Sequence, residues 1–197
     1  MSSPESNNEI TTLVVRSAHQ LATRSSLVLR GLQDISRGFS DDAVKSIPDL
    51  AMELYLQDKF AEAITICNDA LEANPKDESL WQIKGVCLVR QGKNNEGFKC
   101  LTEALAIDDQ NQHCWVLAAK VLRRDSYRTE EELDCWHHVI MISPDFMGAW
   151  REIGNCLVHL GRHRDAVEAF DRELTLNPSD KDCVQQRTAV LEELARD

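Results

Sequence analysis

The sequence predicts an all-α protein made of one small helix pair stacked several times. Two observations carry this. Trp81, Trp115 and Trp150 lie 34 and 35 residues apart, and each opens a similar segment. Trp81 is followed by Gly85, Leu88 and Gly92, Trp150 by Gly154, Leu157 and Gly161, and Trp115 by Ala119 and Leu122. Second, Asn74-Pro75, Asp108-Asp109, Ser143-Pro144 and Asn177-Pro178 recur between them at about one period. A fixed period of this size marks a supersecondary unit copied along the chain. Such units bury their apolar faces against one another and usually build an extended surface for a partner.

The elements follow in order. Residues 1–6 read as a disordered N-terminus. Residues 7–38 lack the repeat motif, but Ile10, Leu13, Val14, Leu21, Val28, Leu32 and Ile35 keep an approximate helical stripe, which predicts an N-terminal helical cap. Residues 10–33 hold Arg16, Arg24 and Arg30 without an acid, a composition shared with organelle transit peptides. Glu5 and Glu9 upstream, together with the stripe, favour the cap. Residues 44–180 make four repeats. The first starts at Ser46-Ile47-Pro48-Asp49, with Ser46 as N-cap and Pro48 in the first turn, where its missing N–H costs nothing. Ala51, Leu54, Phe60, Ala63, Ala70, Leu71 and Pro75 then keep the repeat spacing.

In the second unit Leu80, Trp81, Gly85, Leu88 and Val89 share one helical face. The chain breaks at Gln91-Gly92-Lys93-Asn94, and Phe98, Leu101, Ala104 and Leu105 mark another helix. Gly85 and Gly154 fall where two helices approach closely, and Gly92 and Gly161 where a turn favours positive φ. The third unit carries one extra residue around Asp125-Ser126-Tyr127-Arg128, which accounts for the spacing of 35. Residues 181–197 form a capping helix with Val184, Leu191 and Leu194 on one side. The three periodic tryptophans are expected to be largely buried between helices.

Bulk properties narrow the function. The chain has 197 residues, 43% of them apolar, and a formal charge of −11. An acidic chain without a clustered basic surface is a poor nucleic-acid binder. No apolar run approaches the ~18–20 residues that cross a bilayer, so direct membrane insertion is not expected. Met1 to Glu9 is polar and has no apolar signal core. The seven cysteines are odd in number and form no CxxC pair. Cys87 and Cys156 each sit six residues after a repeat tryptophan, and Cys114 directly precedes one, which suits small buried packing residues in a reducing cytosol. A cytoplasmic location follows as an expectation.

These residues resemble the tetratricopeptide-repeat (TPR) family. Its pattern has an aromatic early in the first helix, a small residue four positions on, a glycine turn, and a proline closing the unit. Trp81, Gly85, Gly92, Ala104 and Leu105 match, as do Trp150, Gly154, Gly161, Ala166, Phe170 and Pro178. Gly97 and Glu173, which stand where Ala is usual, and the degraded middle of unit three depart from it. The resemblance implies a right-handed superhelix whose first helices line a concave groove for a peptide or protein.

No motif carries chemistry. Gly85 to Gly92-Lys93 is two residues too long for a phosphate loop, and Asn94 follows instead of Ser or Thr. There is no GxGxxG, GxSxG or HExxH. Cys156, His159 and His163 could share one side only if the helix continued past Gly161, which ends it, while Cys135, His137 and His138 point different ways. Neither a catalytic residue, a metal site nor a cofactor is expected. The informative feature is a charge contrast. On the first helix of unit three, Val116, Lys120 and Arg123 share one face, with Arg124 alongside. Arg151, Asn155 and His159 occupy the corresponding face of unit four. By the resemblance, that face borders the groove. A focused positive potential there favours an acidic or carboxylate-bearing peptide segment of a protein partner. The alternative is an ordinary solvated surface, with cations paired to Glu130, Glu131, Glu132 and Glu152.

Chaperone-binding relatives in the family carry Lys and Asn on the first helix of unit one. Here Pro48 and Met52 stand at those positions, and Arg151, Asn155 and Gln186 reproduce only part of such a clamp. The reading is therefore a non-enzymatic interaction module: an adaptor, co-chaperone or assembly factor, or a subunit of a larger complex. The rival is the helical regulatory subunit of an enzyme complex such as a protein prenyltransferase. Its repeats resemble W-x-x-R, whereas Lys84, Ala118 and Ile153 follow the tryptophans here.

Overall fold

The computed structural model describes residues 46–124 and 128–196. The disordered terminus and the helical cap expected at 1–6 and 7–38 lie outside these residues. Compactness divides the chain into Met1–Leu50 and Ala51–Asp197. Of the first part only the start of one helix is described.

Among the described residues every regular element is a helix, and no strand occurs. Four helix pairs follow one another: α1 (Ile47–Leu56) with α2 (Phe60–Ala73), α3 (Glu78–Arg90) with α4 (Asn94–Ile107), α5 (Gln112–Leu122) with α6 (Thr129–Ile142), and α7 (Ala149–His159) with α8 (His163–Leu176). A final helix, α9 (Lys181–Leu194), packs on α8. Within α2–α9, each helix packs mainly on its sequence neighbours, as stacked pairs require.

Local chemistry explains the boundaries. Ser46 caps α1, its Oγ accepting the Asp49 N–H at 3.2 Å while its own N–H reaches the Asp49 carboxylate. Asp77, Asn111 and Asp180 do the same for α3, α5 and α9, accepting from Leu80, Cys114 and Cys183. Between the helices of a pair the chain reverses through positive φ at Asp58, Gly92 and Gly161.

Close approach fixes two of the glycines. A Cβ on Gly97 would stand 2.8 Å from the carbonyl oxygen of Gly85 and would collide with Val89. The substitution of Ala by Gly at this position thus lets α3 and α4 touch backbone to backbone. A Cβ on Gly154 would overlap the Phe170 ring, which is itself fully buried.

The periodic tryptophans depart from expectation. Trp81, Trp115 and Trp150 are half-buried, packed against the core without being enclosed by it. The buried tryptophan is Trp136, 3% exposed and outside the periodic series. Each periodic indole instead donates its N–H to a carbonyl six residues upstream: Trp81 to Pro75 at 2.8 Å, Trp115 to Asp109 at 2.8 Å, and Trp150 to Pro144 at 3.2 Å. An indole that must keep its N–H near an exposed turn cannot sink fully into the core. The outer ring faces carry Lys84 over Trp81, Arg172 over Trp150, and His138 stacked on Trp115 at 4.1 Å between centroids.

All seven cysteines are free and buried, as the register predicts. Burial pushes the thiols of Cys67, Cys114, Cys135 and Cys156 up to about 12 and those of Cys87 and Cys183 to about 11. Cys114 and Cys183, equivalent in two units, donate to the carbonyls of Leu101 and Phe170.

Candidate partner-binding face

The first helices lie side by side, and a polar bridge joins each neighbouring pair. Arg90 of α3 reaches the Tyr55 hydroxyl of α1 at 3.5 Å and Asp58 just beyond it at 3.3 Å. Asn111, capping α5, donates to Glu78 of α3 at 2.6 Å. Arg123, just after α5, grips Glu152 of α7 through both terminal nitrogens, at 3.2 and 2.7 Å. Arg151 of α7 reaches Asp180, the cap of α9, at 2.6 Å.

The six residues singled out from the sequence fall into two groups. Arg123 and Arg151 belong to an ion-pair chain, which Asn155 joins through Glu152. The Nε of Arg123 donates to Glu132 at 2.9 Å, and the same carboxylate oxygen accepts the Trp136 indole N–H at 3.2 Å. Glu152 takes the fork of Arg123 and the Asn155 amide at 3.0 Å, with Arg151 4.0 Å away. Burial works against the charge on Arg123, but its bonds to Glu132 and the nearby charge of Glu152 outweigh this and raise its pKa. Lys120, Arg124 and His159 are different. They are exposed and make no ion pair among the described residues, although Arg124 has a long 3.4 Å contact with Asn94. Of the four acids that could have neutralised the face, Glu132 and Glu152 take Arg123, and Glu131 takes Arg128.

Two acids are buried and hold neighbouring elements together. Glu132, 6% exposed, anchors the ion-pair chain. Glu173, wholly buried where Ala is usual, turns both carboxylate oxygens on the Gly148 N–H, at 2.9 and 3.0 Å. Gly148 precedes α7 in the left-handed region and offers no side chain of its own, so Glu173 supplies the anion that a helix N-terminus favours. A glutamate on a helix reads as solvated in sequence, and only the packed partner reveals otherwise.

Among the described residues no three His, Cys, Asp or Glu side chains gather as a metal site would require, and no helix is long and apolar enough to cross a membrane.

Successive helix pairs followed by a final helix, α9, define a helical-repeat architecture among the described residues. Residues 119–181 match the family described as tetratricopeptide repeat, and the structure closely follows solved members of that fold. The fold is that of tetratricopeptide-repeat proteins. Residues 60–91 match a second description, the protein prenyltransferase alpha subunit repeat. Among whole proteins, the chain is similar to the probable UDP-N-acetylglucosamine–peptide N-acetylglucosaminyltransferase SPINDLY of Arabidopsis thaliana. The two are 27% identical over 137 residues, which is 64% of this chain and 15% of that protein. The chain thus spans about a seventh of that relative. Among solved structures, MamA superposes with a TM-score of 0.68 at 17% identity, covering 75% of this chain and 85% of MamA. YrrB, described as a TPR protein with an unusual peptide-binding site, superposes with a TM-score of 0.70 at 16% identity, covering 84% of each chain.

Proposed function

We propose that this protein is a non-enzymatic interaction module, an adaptor, co-chaperone or assembly factor, that holds an acidic or C-terminal peptide segment of a protein partner against units three and four. One observation carries the reading: Lys120, Arg124 and His159 stand exposed without an ion pair among the described residues, on the face where Arg123 and Arg151 already sit on carboxylates. The first group is free to meet a ligand carboxylate, and the second holds the helices that present it. The peptide-binding description of YrrB, whose fold is shared, supports a peptide as the occupant. Seven free buried thiols suit a reducing cytoplasm.

The test is calorimetry on a partner captured from native lysate. Lys120→Glu and Arg124→Glu should each weaken binding by ~1–3 kcal/mol, the worth of a charge-assisted hydrogen bond. Lys76→Glu, in an exposed loop away from the face, should leave it unchanged. Affinity should also fall with salt, because exposed charges are screened over about 8 Å at physiological ionic strength. Equal affinities for all variants would sink the reading.

The match of residues 60–91 favours a second reading, the helical regulatory subunit of an enzyme complex such as a protein prenyltransferase. A catalytic chain that co-purifies in stoichiometric amount, and loses activity without this protein, would support it.

A further inference from the structure

A pocket of about 220 Å³ opens between α4, α5 and α6. Its described lining includes Phe98, Thr102 and Ala106 of α4, Trp115 and Ala118 of α5, and Cys135 of α6. Ala118 lies two residues from Lys120, about 200° round the helix, so the pocket opens away from the cations of the proposed peptide face. The repeat register explains why space remains here. Lys84 and Ile153 stand 34 residues before and 35 after Ala118. Lys84 lies over Trp81, 4.8 Å from the ring centroid, and Ile153 is buried in the core. At Ala118 the side chain stops at one methyl group, and the room beside Trp115 stays open. The same holds on α4, where Ala106 stands 35 residues before Met141.

These walls offer an occupant no polar partner. The Thr102 hydroxyl donates to the Lys99 carbonyl at 2.7 Å, and burial keeps the Cys135 thiol protonated. Phe98 and Trp115 supply aromatic walls. Arg128 covers Phe98 at 4.4 Å from the ring centroid and is itself held by Glu131, while His138 stacks on Trp115. An apolar cavity of ~150 Å³ already takes a benzene ring, whereas small-molecule sites run to ~300–1,000 Å³ and carry placed polar groups. Charge sits outside the pocket instead. Glu103 follows Thr102 and Asp134 precedes Cys135; both are exposed and make no ion pair among the described residues, with Lys99 the cation on the same stretch of α4. The charges of Asp134, Glu131 and Glu132 add to burial in pushing the Cys135 thiol up, against Arg128, so this wall lies in a negative field. We infer that the pocket seats one aromatic side chain from a basic segment of a partner protein, whose flanking Lys or Arg meets Glu103 and Asp134. A free small molecule would need its polar groups met inside the pocket, whereas a side chain leaves them to the segment that carries it. The inference stands apart from the acidic-peptide reading, which concerns the other side of α5.

The experiment titrates the full chain with the acetylated, amidated tripeptides Lys-Phe-Lys, Lys-Ala-Lys and Glu-Phe-Glu and follows the indole N–H signals by NMR, Trp115→Phe assigning the signal of interest. Lys-Phe-Lys should move the Trp115 signal saturably and leave those of Trp81 and Trp150 in place. Lys-Ala-Lys should leave all three unmoved, and Glu-Phe-Glu should bind a few-fold more weakly. Ala118→Ile puts into the pocket the residue that Ile153 supplies in unit four, and should weaken Lys-Phe-Lys roughly tenfold or more, the loss expected when a large apolar side chain loses its seat. Ala106→Met, at an exposed position, should do the same from α4. Glu103→Lys combined with Asp134→Lys should reverse the preference between the two Phe peptides. Circular dichroism and urea midpoints check that each variant folds. Binding that survives both filling variants, or equal responses to the Phe and Ala peptides, would overturn the inference. Glu-Phe-Glu binding as tightly as Lys-Phe-Lys would overturn the basic partner. Free indole binding as tightly as Lys-Phe-Lys would assign the pocket to a small molecule, and dimerisation in light scattering that Ala118→Ile abolishes would assign it to a second copy of the chain; either result overturns the inference.

Discussion

Removing Arg123 should destabilise the array through the carboxylates it leaves behind. The Glu132 side chain is 7% exposed and that of Glu152 16%, whereas that of Arg123 is 45% exposed. After Arg123→Ala, Glu132 keeps the Trp136 indole N–H as its hydrogen-bond donor but has lost its cation. Stripping one partner from a fully buried pair costs about 3–5 kcal/mol. The open side of Arg123 lets solvent screen part of this, so about 2 kcal/mol is the expected loss. For a chain of this size that is a fall of about 4–8 °C in melting temperature. The double variant Arg123→Ala, Glu132→Ala should recover most of it, because an uncharged small residue then occupies the buried site. Urea titration followed by circular dichroism and tryptophan fluorescence gives the midpoints, which are compared directly because stacked repeats need not unfold in one step. An Arg123→Ala midpoint equal to wild type, or a double variant no better than the single, would refute the reasoning. The same geometry disqualifies Arg123→Glu as a clean probe of binding, since it would crowd a third carboxylate against Glu132 and Glu152.

Three more expectations can be checked on the same protein. Gly154→Ala pushes a methyl group into the Phe170 ring and should cost about 1–3 kcal/mol as overpacking, read as a lower urea midpoint. Trp150→Phe keeps an aromatic body but drops the bond to Pro144, and should cost about 1 kcal/mol; the same midpoint assay shows whether the indole N–H matters. The buried thiols should resist a thiol reagent in the native state and all seven should react in concentrated guanidinium. Their raised pKa values also tie stability to pH. Below the ordinary value of 9.0 both states hold the thiol protons. Above it the unfolded chain releases them first, whereas in the native state Cys67, Cys87, Cys114, Cys135, Cys156 and Cys183 keep theirs until about 11 to 12, so stability falls as pH rises through that window. By about pH 10 the loss should be about 1 kcal/mol per thiol. Urea midpoints that stay flat from neutral pH to that point would contradict the burial.

The fold was legible because its determinants are short-range and copied. A tryptophan, a small residue four positions on and a turn glycine each act within one unit, and copying makes the pattern visible against any background. The depth of the tryptophans is not legible in this way, since size and period say nothing of the indole N–H and its upstream carbonyl. The site was legible only as a list of cations. Lys120 and Arg123 sit three residues apart on the same stretch, yet one is exposed without an ion pair among the described residues and the other holds three helices together. What separates them is Glu152, 29 residues from Arg123, and the buried Glu132, nine residues on in the next helix. Spacing within a helix cannot report a partner that arrives through packing.

The tryptophan bond to the preceding turn has a consequence for how such an array grows. Donor and acceptor lie six residues apart and straddle the junction between one pair and the next. A duplicated segment that begins at the turn therefore brings its own joint, complete, into whatever pair precedes it. No compensating change is needed elsewhere in the chain. Length becomes adjustable one unit at a time, and the extra residue at the centre of unit three shows where irregularity can enter: inside a pair, with the joints on either side intact.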